Sequence, residues 1–261
     1  MQFQQIRSAT SIVTFAGKSF LIDPMLSPAN TYPVVPDAPI CAKGNPTIEL
    51  PCSPEELFTV DAIIVTHWHF DHFDEFAMTQ LPKHIPLFAQ NEQEAKESQA
   101  LGFKDVRILK EQGVVFGDIT LFKTPCDHGR SDLVTQHLYK AMQLTDQASG
   151  VVFKAPQESK SLYLAGDTVY YQGVVETIEK FKPDVIAVNA AGAQAPVGHA
   201  LIMNQYDILA LMQDFPQLKV IATHVEGVSH ATVTRKSLKA FAEKKKLDKL
   251  FIPNDGEVLS F

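Results

Sequence analysis

Six consecutive residues, His67-Trp68-His69-Phe70-Asp71-His72, carry three imidazoles and one carboxylate. Neutral imidazole and carboxylate are the donors that zinc, manganese and ferrous iron accept. A surface loop has little other reason to crowd them together. The chemistry they point to is metal-assisted hydrolysis. A bound divalent ion lowers the pKa of water from about 15.7 to about 7, so that metal-bound hydroxide exists at neutral pH.

The apolar run 61–66, Asp-Ala-Ile-Ile-Val-Thr, reads as a buried strand that delivers this cluster at its carboxyl end. Active sites of α/β proteins gather at that end of the strands. Three further strand-like runs finish in metal-competent side chains: 119–124 leads to His128, 162–165 to Asp167 and 220–223 to His224. If these strands share one edge of a fold, the groups converge.

This pattern resembles the metallo-β-lactamase superfamily. The family's HxHxDH signature stands here as His67, His69, Asp71 and His72. Its later His, its bridging Asp and its last His match His128, Asp167 (in Ala-Gly-Asp-Thr) and His224 (in Ala-Thr-His-Val-Glu). The early Ser19-Phe-Leu-Ile-Asp-Pro24 is similar to the family's first strand and Asp-Pro turn. Within the superfamily the chain looks closest to the L-ascorbate 6-phosphate lactonase-like group, on that turn, the Gly-Asp-Thr and the short region after His224.

The resemblance implies a four-layer αββα sandwich of metallo-β-lactamase type, with the site at one edge. It implies two divalent metal ions, zinc first, with manganese or iron as alternatives. His67, His69 and His128 would hold one ion and Asp71, His72 and His224 the other, with Asp167 bridging. Two ions about 3.5–4 Å apart can hold a hydroxide and stabilise the oxyanion formed on attack. Asp71 is a catalytic candidate as well as a ligand, since it can orient the nucleophile and shuttle its proton. His230, six residues after His224, is the other catalytic candidate, as a proton donor or substrate contact.

The remaining motifs are weaker. His84 lies among prolines and reads as a surface residue; His137 and His199 fall in irregular segments that could border the site. Cys126 reads as a small packed residue. Trp68 and Phe70 are expected to pack beneath the ligands. Arg130 and Arg235 could hold an anion but read as surface residues.

The elements that must position these groups are those of an α/β protein. Residues 6–10, 11–15 and 19–22 suggest a β-meander. Seven prolines between residues 27 and 54 mark a long loop of the kind that forms a lid or substrate wall. A helix is expected over 92–101 and short strands over 106–109 and 114–116. Residues 129–148 read as polar and irregular, and 151–154 with 162–165 as a hairpin. Helices follow over 174–181, 205–212 and 232–246, with strands at 185–188 and 220–223 and a closing strand pair near Phe251 and Val258. There is no repeat and no Gly/Ser linker, so residues 1–261 are expected to form a single domain.

Composition bounds the function. With 30 acidic against 23 basic residues, the formal net charge is -7. Nucleic-acid binders cluster Lys and Arg, so nucleic acid is not the expected partner. Three widely spaced cysteines suit a reducing compartment. The opening lacks a basic start followed by an apolar stretch, and no run spans a bilayer, so a cytoplasmic protein without membrane contact is expected. The reading is a hydrolase acting on an ester, lactone or phosphoester of a small metabolite. The alternatives on this fold are a diiron redox protein, which typically carries Glu where His69 stands, and a nuclease.

Overall fold

The computed structural model describes residues 1–40, 42–195 and 199–261. Cys41 and part of the 190–204 loop lie outside the described residues.

Antiparallel strands β1 (Gln2–Arg7), β2 (Thr10–Phe15) and β3 (Lys18–Ile22) open the chain. The meander is present, but its first turn falls at Ser8, whose φ is 52°. The first strand therefore starts and ends earlier than predicted. Its Gln-rich opening is drawn into the sheet by partners on both sides, Gln2 lying opposite Thr14 and Ser260. Then follow β4 (Ala62–Ile64), α1 (Glu75–Gln80), β5 (Leu87–Ala89), α2 (Glu92–Ala100) and β6 (Val106–Ile108), with β3 to β6 parallel. Neither α1 nor β5 was predicted, being too short to show a period. Helix α1 is marked by its N-cap, Asp74, which accepts from the Ala77 N–H at 2.8 Å.

The second half holds β7 (Val114–Phe116), β8 (Ile119–Pro125), α3 (Leu133–Ala141), β9 (Ser149–Lys154), β10 (Leu162–Leu164), α4 (Gln172–Phe181) and β11 (Val185–Asn189). It continues with α5 (Gln205–Asp214), β12 (Lys219–Thr223), α6 (Arg235–Lys245), β13 (Leu250–Phe251) and β14 (Val258–Ser260). Helix α3 corrects the irregular reading of 129–148. Asp132 caps it by accepting from the Thr135 N–H at 2.7 Å, and exposed Leu133 and Val134 beside polar neighbours hid a buried face of Thr135 and Tyr139.

The strands form two sheets, ordered β14-β1-β2-β3-β4-β5-β6 and β13-β12-β11-β10-β9-β8-β7. The last two strands are thus not a pair: β13 extends one sheet beside β12 and β14 extends the other beside β1. A core of Phe3, Phe15, Phe20, Ile64, Phe153, Leu162 and neighbours lies between the sheets. The Phe20 and Phe153 rings meet edge to face at 5.3 Å. One outer face packs on α4 and α5 through Val174, Ile178, Ile208 and Leu211. The other packs on α1 and α2 through Ala77 and Ala95. This is the four-layer αββα sandwich that was expected. No helix among the described residues is long and apolar enough to cross a membrane.

Candidate metal centre

Strands β3, β4, β8, β10 and β12 release their chains at a common edge of the sandwich. Asp23 follows β3, the 67–72 cluster follows β4, His128 follows β8, Asp167 follows β10 and His224 follows β12. Among the described residues, three trios have ligand atoms close enough to share a metal ion: His67, His69 and His128; His67, His72 and Asp167; Asp71, His72 and His224. These trios contain all the residues predicted as ligands, and every one is buried. Asp167 Oδ2 sits at their crossing, 3.3 Å from His72 Nε2, 3.6 Å from His128 Nε2 and 3.9 Å from His67 Nε2. Asp71 Oδ2 lies 3.4 Å from His224 Nε2.

Each imidazole spends one ring nitrogen on the protein. His72 Nδ1 donates to Asp23 Oδ2 at 2.9 Å, His128 Nδ1 to the Leu201 carbonyl at 2.9 Å and His69 Nε2 to the Thr145 carbonyl at 2.9 Å. His67 Nδ1 lies 3.2 Å from Thr66 Oγ1. The Thr66 hydroxyl gives its proton to Asp23 Oδ2 at 2.8 Å, so its oxygen accepts from His67. His224 Nδ1 pairs with Ser8 Oγ at 2.9 Å. The inward Nε2 atoms of His67, His72 and His224 are buried with no hydrogen-bond partner. Such atoms are destabilising unless they gain a partner. A divalent cation fits that demand, and outer partners of this kind fix the tautomer a metal requires.

The charge balance agrees. Burial, with repulsion from His72 and His69, pushes the His67 imidazole well below its ordinary pKa. Burial, then His128, brings His69 down to about 4, and burial lowers His128 as well. These three are neutral and ready to ligate at neutral pH. His72 goes the other way: burial disfavours its charge, but Asp167, Asp23 and Asp71 together hold it well above the usual value. Burial opposes charge on Asp71 and Asp167, yet His72 and the other imidazoles hold both carboxyls well below the carboxylate range.

The backbone is bent to serve this geometry. Ser8, Asp23 and His224 all take left-handed φ, at 52°, 46° and 53°. Side chains rarely adopt that conformation outside sites that demand it. Gly166, at φ 69°, sets up Asp167, and a Cβ there would meet the Ser149 carbonyl at 2.6 Å.

His230 stands above the ligands, partly exposed, with Nε2 3.5 Å from Asp71 Oδ2 and a buried Nδ1 that has no partner. The Pro-rich segment is packed beside it. Asn45 accepts from the Ser229 N–H at 2.7 Å, and Ser229 Oγ receives the Val35 N–H and Asn45 Nδ2, both at 3.1 Å. Arg7, fully buried, holds the segment's base by donating to the carbonyls of Met25, Ser27 and Ile48.

Several predicted neighbours lie elsewhere. Trp68 packs beneath the cluster against Phe73, as expected. Phe70 does not: its ring meets Tyr32 at a tilt, centroids 5.7 Å apart, and His230 edge to face at 6.4 Å, on the rim. His84 and His137 are exposed. His199 pairs with Asp132 at 3.5 Å. Arg235 is tied to Glu226 and Asp255. The Cys126 thiol, pushed well up by burial, donates to the Ala165 carbonyl at 3.1 Å. Asp23, Ser8, Thr66 and Leu201 were not foreseen as partners of the ligands. The Asp-Pro step after β3 was the one visible signal among them. Tyr139 was also missed: its ring lies 5.6 Å from His69 and 5.8 Å from His128. Burial and then the nearby Asp167, Asp71 and Asp146 push its phenol well above its ordinary pKa.

The family model of the β-lactamase superfamily domain matches residues 18–225. Across 100% of both chains, the sequence is 41% identical to the UPF0173 protein YddR of Bacillus subtilis. The chain belongs to the UPF0173 family of the β-lactamase superfamily. It is a metal-dependent hydrolase, as relatives in this family are named. Its structure is similar to that of a possible metal-dependent hydrolase from Veillonella parvula, with a TM-score of 0.94 and 34% identity over 100% of this chain and 99% of that one. It is equally similar to an isothiocyanate hydrolase from Delia radicum gut bacteria, with a TM-score of 0.93, 34% identity and the same coverage.

Proposed function

We propose that residues 1–261 act as one metallo-β-lactamase-like domain that holds two divalent ions, zinc first, and hydrolyses a small organic electrophile. The favoured class is isothiocyanates, R–N=C=S. The observation that carries the hydrolytic reading is the convergence of unpartnered, buried imidazole nitrogens on Asp167 and Asp71. Support for the substrate class comes from the full-length likeness to an isothiocyanate hydrolase. The aromatic rim of Phe70 and Tyr32 also suits an uncharged organic group.

His67, His69 and His128 would hold one ion and Asp71, His72 and His224 the other, with Asp167 as a ligand available to both. When bound, the ions supply an acidified water and a positive field for the charge that develops on the substrate. Asp71 accepts the proton of the attacking water. His230, within reach of Asp71, delivers a proton to the substrate nitrogen. An O–C bond forms, the C=N π bond breaks, and the product is a thiocarbamic acid that releases carbonyl sulfide and an amine.

Lactones and esters, the substrates suggested by the lactonase-like resemblance, offer a similar electrophilic carbon and are the second reading. The test is metal content by mass spectrometry for wild type and Asp167→Ala. It is joined by product assays on benzyl isothiocyanate, γ-butyrolactone, phenyl acetate and phenyl phosphate. About two equivalents of metal that fall in the variant, with amine released from the isothiocyanate, are expected. Turnover of the lactone alone would replace the substrate class, and a wild type that binds no metal after reconstitution would end the hydrolytic reading.

A further inference from the structure

We propose that Tyr139 is a catalytic residue of this site, its phenol donating a hydrogen bond to the substrate atom that gathers negative charge as water adds. The inference rests on the hydrolytic reading above. It starts from an orphan: the Tyr139 hydroxyl is buried, with the residue only 7% exposed, and has no hydrogen-bond partner. A phenol is protonated at neutral pH, so what is buried is a donor with nothing to donate to.

Burial alone does not make a donor functional. The Tyr163 hydroxyl is also buried and unpartnered, but that ring sits in the apolar core among Val152, Val174 and Ile186. Tyr139 instead lies against His69 and His128, with ring centroids 5.6 Å and 5.8 Å away, among the metal-competent side chains. It therefore lies beside the imidazoles of His69 and His128, whereas His230 lies against Asp71 and Phe70.

The chain holds Tyr139 there from both ends of α3. Gly129, at φ 75°, lets the start of the helix close on the site, since a Cβ would meet Thr135 at 2.5 Å and Leu201 at 2.9 Å. Leu201 and Thr145 are the residues whose carbonyls take the protons of His128 and His69. After the helix, the Leu144 N–H returns to the Tyr139 carbonyl at 2.8 Å, one residue before Thr145. The phenol is thus fixed relative to two of the imidazoles by the same backbone that orients them. Donors fixed in advance around a water-poor centre stabilise developing charge without reorganising.

The decisive variant is Tyr139→Phe, which removes one oxygen and keeps the ring. Metal content, kcat and KM on benzyl isothiocyanate, and calorimetric affinity of the metal-loaded enzyme for inorganic phosphate are measured beside wild type. His137→Ala, an exposed change on the same helix, is the control. We expect kcat lower by about a hundredfold with metal content unchanged, and phosphate bound at least about tenfold more weakly. The melting midpoint should not fall, because no hydrogen bond is lost. Phosphate affinity and kcat both within about threefold of wild type would overturn the role, as would loss of metal, which would make Tyr139 a structural support. A wild type that loads metal and binds phosphate tightly, but turns over none of the organic probes, sinks the substrate reading alone. The phosphate comparison then still decides on Tyr139. A wild type that binds neither metal nor phosphate overturns both.

Discussion

His72 and His230 both come close to the Asp71 carboxylate, under different terms. His72 is fully buried, its Nδ1 fastened to Asp23, and three carboxylates surround it. His230 is partly exposed, touches a rim of aromatic rings, and its Nδ1 is held by nothing. The same contrast separates the floor of the centre from its roof. On the floor, each imidazole is fixed through its outer nitrogen by a carboxylate, hydroxyl or carbonyl. The roof, made of 27–54, α3 and the segment through His230, holds groups whose polar atoms are unspent. A floor built so holds a metal still; a roof built so meets a changing substrate.

The largest expected effect falls on the floor. Asp167→Ala removes the oxygen on which three imidazoles converge. It should strip metal and lower kcat/KM by more than about a thousandfold, read by mass spectrometry and by turnover. A variant that keeps its metal would mean that Asp167 is no bridge and that the floor is more redundant than its geometry implies.

Arg7 joins floor to roof. Burial holds its pKa to about 10 against the pull of Asp74, Glu49 and Asp255. Arg7→Met leaves the carbonyls of Met25, Ser27 and Ile48, at and just before the Pro-rich segment, without their donor. The loss should be roughly 3 kcal/mol, or a melting midpoint lower by about 9 °C. If the midpoint holds while turnover falls, Arg7 serves only the roof.

Acid should act on the floor with a definite sign. His67, His69 and His128 have folded pKa values depressed by burial, to about 4 for His69. Between about 6.5 and about 4 the unfolded chain binds protons that these folded imidazoles refuse, so metal-free protein loses stability as pH falls through that window. For His69 alone the full effect is roughly 3 kcal/mol. His72, raised by its carboxylates, is protonated in both states below about 6.5, so its contribution is already complete across this window and is lost only as pH rises above it. Melting of chelated protein across the window checks this, and a midpoint that holds or rises toward about pH 4 would show that the folded imidazoles take up protons as readily as the unfolded chain.

The outer ring of the floor ranks next. Asp23→Asn keeps the size of the side chain but weakens its grip on the His72 N–H and the Thr66 hydroxyl. Metal affinity should drop about 10–100-fold, seen by competition with a chelator. Unchanged affinity would mean that His72 is held by packing alone.

The floor was legible in the sequence and much of the roof was not, for a physical reason. A strand forces its next residue to a fixed edge, so a His or Asp after an apolar run declares its place. That is how His67, His128, Asp167 and His224 were found, and the alternation of helix and strand marked the α/β class. Outer partners such as Ser8 and Leu201 are fixed only by long-range docking, and a serine hydroxyl or backbone carbonyl carries no local sign of it. Helix α3 was missed because its exposed Leu133 and Val134 and its polar Gln136, His137 and Lys140 blur the period. Asp132 before Leu133-Val134-Thr135 was its only cap signal, and it could not have told which way Tyr139 points. β13 and β14 were misread as a pair because nothing local assigns a short strand to one sheet or another.

The smallest effect belongs to the roof and probes the contrast most finely. His230→Gln keeps a polar side chain of similar reach but cannot pass a proton between its two ends. Because Asp71 retains His224 as a neighbour, and no partner holds His230 Nδ1, metal content and melting midpoint should stay at wild-type values. KM should move little, while kcat falls by about 10–100-fold, the lower range for a lost acid–base group. A variant that loses metal would place His230 with the floor, as a ligand rather than a proton carrier. One that raises KM with kcat intact would make it a substrate contact, and proton delivery would then have to come from the solvent side of Asp71.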